Sequence, residues 1–298
     1  MTGKEFEVYS VDEIDRVPDA IVEMLTGVRR GIMIRGAFSP EACERLASGL
    51  EACRDNRGNF EPLYIPIPQQ RHASGDPILA DSDPLVYGSL IFGTPLILAT
   101  KGKTDHYLKN ARWFRDLFER IWAEAPGFEE RFAQVLRRMA GGRPVEPPRA
   151  ESGEAFSPLH IKGIEDTGAL AIHCGNETHN GELLEILRKH IDIEVGQISY
   201  LVLLRKPESG GELRIYGLNW STPDGQRVQE ANRTSPETIA LCDSYGYDDV
   251  DPDVGDVIVF DGGRYYHRVN EVRGPISRWT GQGFLALSRD HGTIHYWF

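Results

Sequence analysis

From about residue 157 onwards, short apolar runs alternate with turns, and this pattern limits what the chain can fold into. The runs are rich in Val, Ile, Leu and aromatic residues, and most are separated by Gly, Pro or Asp. This composition is typical of β-strands connected by turns. Only one helix, at 183–190, is expected among them. Many short strands with a single helix favour an antiparallel jelly roll, the double-stranded β-helix of cupin-like proteins. The strand-like runs are 169–173, 198–204, 212–216, 256–260, 265–269, 284–288 and 294–297.

The first 156 residues have a helical periodicity instead. Ser39 followed by Pro40 is typical of a helix start, with a capping side chain and a proline in the first turn. Residues 57–104 are rich in Pro and Gly, which predicts long irregular loops of the kind that often cover a pocket. We expect one domain over 1–298, with 1–156 as helices and loops packed outside a jelly-roll core at 157–298. The predicted elements of this half are helices at 11–28, 40–53, 107–123 and 128–140 and a buried strand at 31–36.

Composition excludes several classes of protein. The 298 residues are 40% hydrophobic and 26% charged, which suits a folded chain with a core rather than a disordered one. Acidic residues outnumber basic ones by 45 to 33, and a net charge of −12 argues against nucleic-acid polymers and anionic membranes as partners. No apolar run reaches the length of a membrane span, and the first residues lack a signal core. Four cysteines in so long a chain fit reduced thiols in a cytoplasmic protein.

Two histidines and an arginine follow one another in an order that suggests a metal site. His173 ends an apolar run, and His267 lies inside another, after the turn at 261–263. Non-haem Fe(II) sites use two histidines and one carboxylate on one face, leaving positions for substrates and oxygen. Arg278 lies eleven residues after His267, where its guanidinium could hold the far carboxylate of 2-oxoglutarate in a bidentate pair. The hydroxyl of Thr280 could complete that contact.

The third ligand of such a site is missing from its usual place. The carboxylate normally stands two residues after the first histidine, but Gly175 stands there in this chain. Since glycine has no side chain, it leaves space at the metal for a halide ion. Cys174 could be offered as a thiolate ligand, but strand alternation directs its side chain away from the face of His173.

Together with these residues, several longer segments resemble the stand-alone Fe(II)/2-oxoglutarate halogenases. That family contains indole-alkaloid carbon halogenases that act without a carrier protein, and a nucleotide chlorinase of 2′-chloropentostatin biosynthesis. The resemblance spans nearly the whole chain and is densest after residue 157. The segments that carry it are 32–38 (IMIRGAF), 171–176 (AIHCGN), 210–216 (GGELRIY), 255–261 (GDVIVFD), 262–267 (GGRYYH) and 278–286 (RWTGQGFLA).

The resemblance implies an enzyme that chlorinates an unactivated aliphatic C–H bond of a free small molecule. It implies Fe(II), 2-oxoglutarate, chloride and O₂ as cofactors, no carrier protein, and radical rebound in which a substrate carbon radical recombines with chlorine. Iron would lie on His173 and His267, chloride beside Gly175, and 2-oxoglutarate on Arg278 and Thr280. Ser199 and Asn176 would form a second ring of polar residues around the iron.

The substrate is predicted from the loop at 83–104, which matches the part of the family that lines the substrate pocket. This loop contains Lys101 and Lys103. A neutral, apolar alkaloid offers no anionic group for these side chains to bind, whereas a phosphate does. The interpretation is a purine nucleotide, 2′-deoxyadenosine monophosphate, chlorinated at the sugar 2′ carbon in nucleoside antibiotic biosynthesis, with an indole-terpenoid alkaloid as the alternative. Substrate contacts are expected from Val86, Leu90, Lys101, Lys103 and Thr178, and the further basic candidates are Arg29, Arg30, Arg112 and Arg264.

Three other functions remain open at this point. A 2-oxoglutarate-dependent hydroxylase that lacks the carboxylate ligand would hold water where the halide is expected, and its product would not depend on chloride. A catalytically inactive jelly roll kept for binding would give Arg278 and Thr280 no dicarboxylate to hold. A zinc or manganese cupin would need a third protein ligand, and none stands near His173 in the sequence. The sequence does not indicate the oligomeric state.

Overall fold

The structure is a computed structural model, and it describes residues 6–55, 64–66, 70–71, 77–78, 86–93, 96, 104–175, 188, 193 and 196–298. Six α-helices are described in these ranges, preceded by a short 3-10 helix at Val11–Arg16. The helices are α1 (Ala20–Leu25), α2 (Pro40–Asp55), α3 (Thr104–Trp122), α4 (Phe128–Arg137), α5 (Pro223–Glu230) and α6 (Pro236–Asp243).

The described strands form one large curled sheet and two small two-stranded ones. The strands are β1 (Glu7–Ser10), β2 (Gly31–Arg35), β3 (Tyr64–Pro66), β4 (Gln70–Arg71), β5 (Pro77–Ile78), β6 (Val86–Phe92), β7 (Val145–Glu146), β8 (His160–His173), β9 (Ile198–Arg205), β10 (Ser209–Gly210), β11 (Leu213–Asn219), β12 (Tyr247–Val250), β13 (Val257–Phe260), β14 (Tyr265–Val269), β15 (Val272–Arg273), β16 (Arg278–Leu287) and β17 (Ile294–Trp297).

The large sheet runs in the order β1-β2-β13-β9-β16-β8-β14-β11-β12, so neighbours in space are distant in sequence. Strand β6 pairs with the other side of β8, β3 continues beyond it, and β17 and β7 extend the sheet from β16. Two pairs, β1 with β2 and β17 with β7, are parallel, and the other described pairs are antiparallel. This mainly antiparallel, crossed-over order with flanking helices confirms the predicted mainly β, jelly-roll fold.

The two halves of strand β8 pair with different neighbouring strands. Its first half lies beside β16, with Ile164 opposite Arg278, and its last part lies beside β14, with His173 opposite His267. Between the halves, Thr167 has a left-handed backbone with φ of 63°. Since a β-branched residue rarely adopts that conformation, it marks a built-in bend in the strand.

The principal hydrophobic core lies between the helices and one face of the sheet. Alternate residues of β9 face this core, whereas Ser199 and Leu201 face the opposite side and line a cavity inside the curled sheet. This period of two is what separates core from cavity along one strand. Representative core residues are Leu46, Leu50, Phe114, Phe118, Phe132, Leu136, Ile32, Ile34, Val202, Leu204, Val257, Val259, Leu285 and Leu287.

Three sequence-based predictions of elements are wrong. The helix predicted at 11–28 is a 3-10 helix followed by α1, because Pro18 has no amide hydrogen and disfavours helical backbone at Val17. The region 57–104 is not wholly irregular, since β6 pairs along β8 from Val86 to Phe92. The strand-rich half contains α5 and α6 as well, each begun by a Ser or Thr cap before proline.

The other predicted elements agree with the structure to within a few residues, apart from the ends of the sheet strands. Strands β8 and β16 begin about nine and six residues earlier than the runs at 169–173 and 284–288 predicted. The helix predicted at 183–190 lies outside the described residues, except for position 188. No described helix has both the length and the apolar character that crossing a membrane requires.

Candidate active site

The two histidines meet across a pair of antiparallel strands. His267 on β14 lies directly opposite His173 at the end of β8, and the centroids of their rings are 4.1 Å apart. The ring of Phe260 packs edge-on against His267 at 4.9 Å. The pairing that the sequence order suggested is therefore present in the fold.

Hydrogen bonds fix which nitrogen of each ring can bind a metal. His173 Nδ1 lies 2.9 Å from the carbonyl oxygen of Ala171, and His267 Nδ1 lies 3.0 Å from that of Tyr265. Because a carbonyl oxygen only accepts, each Nδ1 carries the hydrogen and donates it. Each Nε2 then has its lone pair available, the usual arrangement of metal-binding histidines.

Burial keeps both rings neutral. It holds the pKa of His173 well below its usual value, with repulsion from His267 as the next cause, and it lowers the pKa of His267 to about 4. Neutral imidazole is the form that binds a metal, so the donor set fits Fe(II). Among the residues that the structure describes, no group of three or more His, Cys, Asp or Glu side chains is placed to hold a metal ion.

Gly175 lies close to His173 in the chain, and a side chain at position 175 would clash with neighbouring atoms of the protein. A Cβ built on Gly175 would overlap Gln197 Nε2 and would stand 3.2 Å from the carbonyl oxygen of Gly262 and 3.3 Å from Gly263 Cα. The Gly175 amide donates to that Gly262 oxygen at 2.7 Å, which holds the backbone in place. The neighbouring Cys174 thiol donates to the Gly263 carbonyl and packs in an apolar cluster with Tyr216 and Tyr266.

Arg278 and Thr280 lie on β16, with their side chains on the face that looks into the curled sheet. Arg278 is 2% exposed, and burial lowers its pKa to about 10, so the guanidinium stays charged at neutral pH. Its Nη1 donates to the hydroxyl of Thr280 at 3.5 Å, and its Nη2 has no hydrogen-bond partner among the described residues. A buried cation with an unused donor suits the carboxylate of a small ligand.

A cavity of about 110 Å³ connects these groups. His173, Gly175, Ser199, His267 and Arg278 all line it. The fold thus brings together five of the predicted site residues around one small enclosed space.

Sequence reasoning missed three polar residues on the paired strands β8 and β16, namely His160, Lys162 and Gln282. Lys162, which is buried, pairs across the strands with Thr280, and His160 pairs with Gln282. Gln282 Nε2 donates to His160 Nε2 at 3.0 Å, which leaves the hydrogen of that ring on Nδ1. The predicted strands began too late to include these positions, and their place at the site depends on the pairing of β8 with β16.

Ser199 lies where the turn between β13 and β14 approaches β9. Its Oγ would stand 2.5 Å from a Cβ built on Gly262, so the absence of a side chain at Gly262 allows this close approach. The hydroxyl therefore lies in the wall of the cavity, as expected for a group near the metal.

Several other predicted residues lie wholly or partly outside the described residues. Asn176, Thr178, Lys101 and Lys103 lie outside them altogether. The backbones of Val86 and Leu90 belong to β6, opposite Leu170 and Gly163 of β8, but their side chains are not described.

The four further basic candidates are already paired with carboxylates of the chain. Arg29 binds Glu7 and Glu23, Arg30 lies 3.5 Å from Asp248, Arg112 pairs with Glu154, and Arg264 lies 2.6 Å from Asp261. These pairs argue against a phosphate at any of the four.

Comparisons with known proteins give one family match and several similar solved structures. The model of the carrier-protein-independent halogenase family WelO5 matches residues 4–298. No curated protein matches the sequence. Similar solved structures include an N-substituted L-amino acid dioxygenase from Burkholderia ambifaria (11% identity, TM-score 0.46, 78% of this chain and 98% of that one). A prolyl hydroxylase from Trichoplax adhaerens (10%, 0.44, 94% and 93%) and a prolyl-4-hydroxylase from Pseudomonas putida (14%, 0.39, 89% and 95%) are also similar.

Proposed function

This chain belongs to the family of carrier-protein-independent halogenases, and from that premise we propose that it chlorinates an unactivated carbon of a free purine nucleotide. It is a non-haem iron, 2-oxoglutarate-dependent oxidoreductase, and its cofactors are Fe(II), 2-oxoglutarate, O₂ and chloride. Its substrate is a small molecule that no carrier protein delivers. Bound iron, with 2-oxoglutarate and O₂, supplies the oxidant that removes a hydrogen atom from the substrate and the halogen that the carbon acquires.

In this proposal, His173 and His267 hold the iron through their Nε2 atoms. Their Nδ1–H groups are bound to backbone carbonyls, which prevents the rings from turning away. Arg278 holds the far carboxylate of 2-oxoglutarate with its unused Nη2, and Thr280 supplies a hydroxyl beside it. Ser199 and Asn176 act as polar neighbours of the iron that orient its ligands.

The observation that carries the proposal is the absence of a carboxylate at Gly175, next to a pair of histidines that line the same cavity. A hydroxylase of this kind would use a carboxylate there, and the chain offers a backbone without a side chain. An anion from solvent then has room to complete the coordination of the iron. The same feature favours halogenation over hydroxylation as the outcome for the substrate radical.

The nucleotide part of the proposal depends on which basic residues can bind a phosphate. Because Arg29, Arg30, Arg112 and Arg264 are engaged within the protein, phosphate recognition rests on Lys101 and Lys103 of the loop at 83–104. Val86, Leu90 and Thr178 complete the proposed substrate contacts. The specific proposal is 2′-deoxyadenosine monophosphate, chlorinated by radical rebound at the sugar 2′ carbon in nucleoside antibiotic biosynthesis.

One experiment tests both parts. The iron-loaded protein is incubated with 2-oxoglutarate, O₂ and a candidate substrate, in chloride or in sulfate, and the products are analysed by mass spectrometry. Candidate substrates are 2′-deoxyadenosine monophosphate, its nucleoside and an indole alkaloid. A chlorinated nucleotide that forms only with chloride is the expected result. Hydroxylated product in equal yield in both salts would overturn halogenation, and equal binding of nucleotide and nucleoside would remove the phosphate from the proposal.

A further inference from the structure

Gln197 carries a buried side-chain amide that has no hydrogen-bond partner in the part of the chain that the structure describes. The residue lies just before β9 and is 2% exposed. Neither Nε2 nor Oε1 has a hydrogen-bond partner among the described residues. Leaving a buried amide unpaired costs free energy, so such a group usually serves a ligand.

The nitrogen of this amide lies against Gly175, on the side where a side chain would project. It is the nearest atom to the point where a Cβ on Gly175 would stand, and the next two are the Gly262 carbonyl oxygen and Gly263 Cα. Of these three atoms, Gln197 Nε2 alone can donate a hydrogen bond. The Gly175 amide hydrogen, which also lies close, is already donated to Gly262.

We propose that Gln197 donates a hydrogen bond to the halide that binds in place of the carboxylate missing at Gly175, and that this bond sets the affinity of the site for halide. The inference rests on the proposed function, because it requires a halide at that position. A halide ion only accepts hydrogen bonds, and an amide NH₂ group is a neutral donor that adds no competing charge at the metal. A hydrogen bond to an ion is also stronger than one between neutral groups.

The geometry gives this bond a role in specificity. A halide held by iron alone could leave or change position, and its place could be taken by water. A donor fixed at the edge of β9 restrains the halide on the side of Gly175, next to His173. Loss of the donor should therefore weaken halide binding first, and lower the ratio of chlorinated to hydroxylated product as a consequence.

The test uses Gln197→Met, which keeps the length of the side chain and removes both donors, with Gln197→Leu as a second variant. The protein with Fe(II) and 2-oxoglutarate is titrated anaerobically with chloride, and the visible absorption of the iron chelate reports each change of iron ligand. We expect the chelate to form as in the unchanged protein, and the dissociation constant for chloride to rise about tenfold or more.

Thermal unfolding without metal separates this role from a structural one. Since Gln197 makes no described hydrogen bond within the protein, Gln197→Met should unfold at the same temperature or higher. Gln134→Met, the same change on the exposed face of α4, is the control and should change neither readout. If the unchanged protein shows no response to chloride, both the proposed function and this inference fail. If it responds and both Gln197 variants bind chloride as tightly, the inference alone is wrong.

Discussion

Some polar atoms around the two histidines are hydrogen-bonded within the protein, and others have no described partner. The Nδ1 atoms of His173 and His267 and the amide of Gly175 are bound to backbone carbonyls. Arg278 Nη2 and the Gln197 amide have no described partner, although both are buried. Because burying unpaired polar atoms is unfavourable, the unpaired Nη2 of Arg278, a residue that lines the cavity, indicates that a polar ligand completes it.

At this scale, the substitution Gly175→Asp tests the halide site. The new carboxylate would stand where the halide is expected and would push the Gln197 amide aside, since the Cβ alone already overlaps Nε2. We expect chlorination to be lost and the outcome to shift to hydroxylation or to inactivity. Mass spectrometry of products formed in chloride gives the ratio of the two products.

Gly175→Ala is the matched control, because it adds the Cβ without a carboxylate. It should impair chlorination without supplying a ligand for hydroxylation. Chlorination by Gly175→Asp at the level of the unchanged protein would contradict the halide site.

Single residues were predictable where strand order alone decided their place. His173, His267 and Arg278 followed from spacing along late strands and now line one cavity. Lys162 could not be found this way, because its position depends on the pairing that sets it opposite Thr280. Gln197 stands outside any regular pattern, and its contact with Gly175 is visible only in the folded chain.

At the scale of elements, the turn between β13 and β14 holds the backbone next to His173 in place through hydrogen bonds. Gly262 and Gly263 supply the carbonyls that bind the Gly175 amide and the Cys174 thiol. The side chain of Asp261 lies 2.6 Å from Arg264, and Arg264 also donates to the carbonyls of Met24 and Leu25 at the end of α1. This turn therefore links a helix of the first half to the candidate halide site.

Asp261 gives the turn a pH-dependent stability. The carboxyl is 1% exposed, and burial raises its pKa to about 6, although Arg264 and Arg30 act in the opposite direction. A raised folded-state pKa means that the folded protein binds the proton more tightly than the unfolded chain does. The contribution is present in full below the unfolded value of 3.8 and is lost as the pH rises to about 6.

Asp261→Asn should remove this dependence. We expect its free energy of unfolding, relative to the unchanged protein, to increase by roughly 2 kcal/mol between about pH 4.5 and pH 7.5. Urea unfolding at several pH values measures the difference, and other carboxylates cancel because both proteins contain them. A difference that stays constant over this range would show that Asp261 is not the titrating group.

Elements were predicted well where periodicity was strong and poorly where one residue overrode it. The strands β14 and β17 agree with their predicted bounds. Pro18 interrupted an otherwise regular apolar pattern, and the pairing of β6 with β8 depends on partners far away in sequence. Helices α5 and α6 carry the same cap-and-proline signal that located α2, so a consistent use of that signal would have found them.

At the scale of the whole molecule, charge is distributed unevenly between surface and interior. The chain has a net charge of −12. Yet the cavity wall contains Arg278, and Lys162 lies buried on the neighbouring strand. A locally positive interior within an acidic chain attracts small anions such as 2-oxoglutarate and chloride.

The single-domain prediction can be tested through the core that helices and sheet share. Phe128 of α4 is 1% exposed and stacks on Phe38 at 4.6 Å between ring centroids, with Phe118 at 4.9 Å and Trp122 at 5.2 Å edge-on. This aromatic group belongs to the same core as Val202 of β9. Phe128→Ala should therefore lower the free energy of unfolding by about 3–5 kcal/mol, both for the layer of helices and for the sheet.

Native-state hydrogen exchange measures the two layers separately. If α4 and β9 unfold as one unit, amides at Val135 and Val202 should lose the same protection free energy in Phe128→Ala. Gln134→Ala, on the exposed face of α4, is the control and should change either value by less than about 0.5 kcal/mol. Faster exchange in α4 with unchanged exchange in β9 would mean that the helical layer opens independently. The halide site would then rest on the sheet alone, and the contacts of Arg264 with the end of α1 would contribute little to its stability.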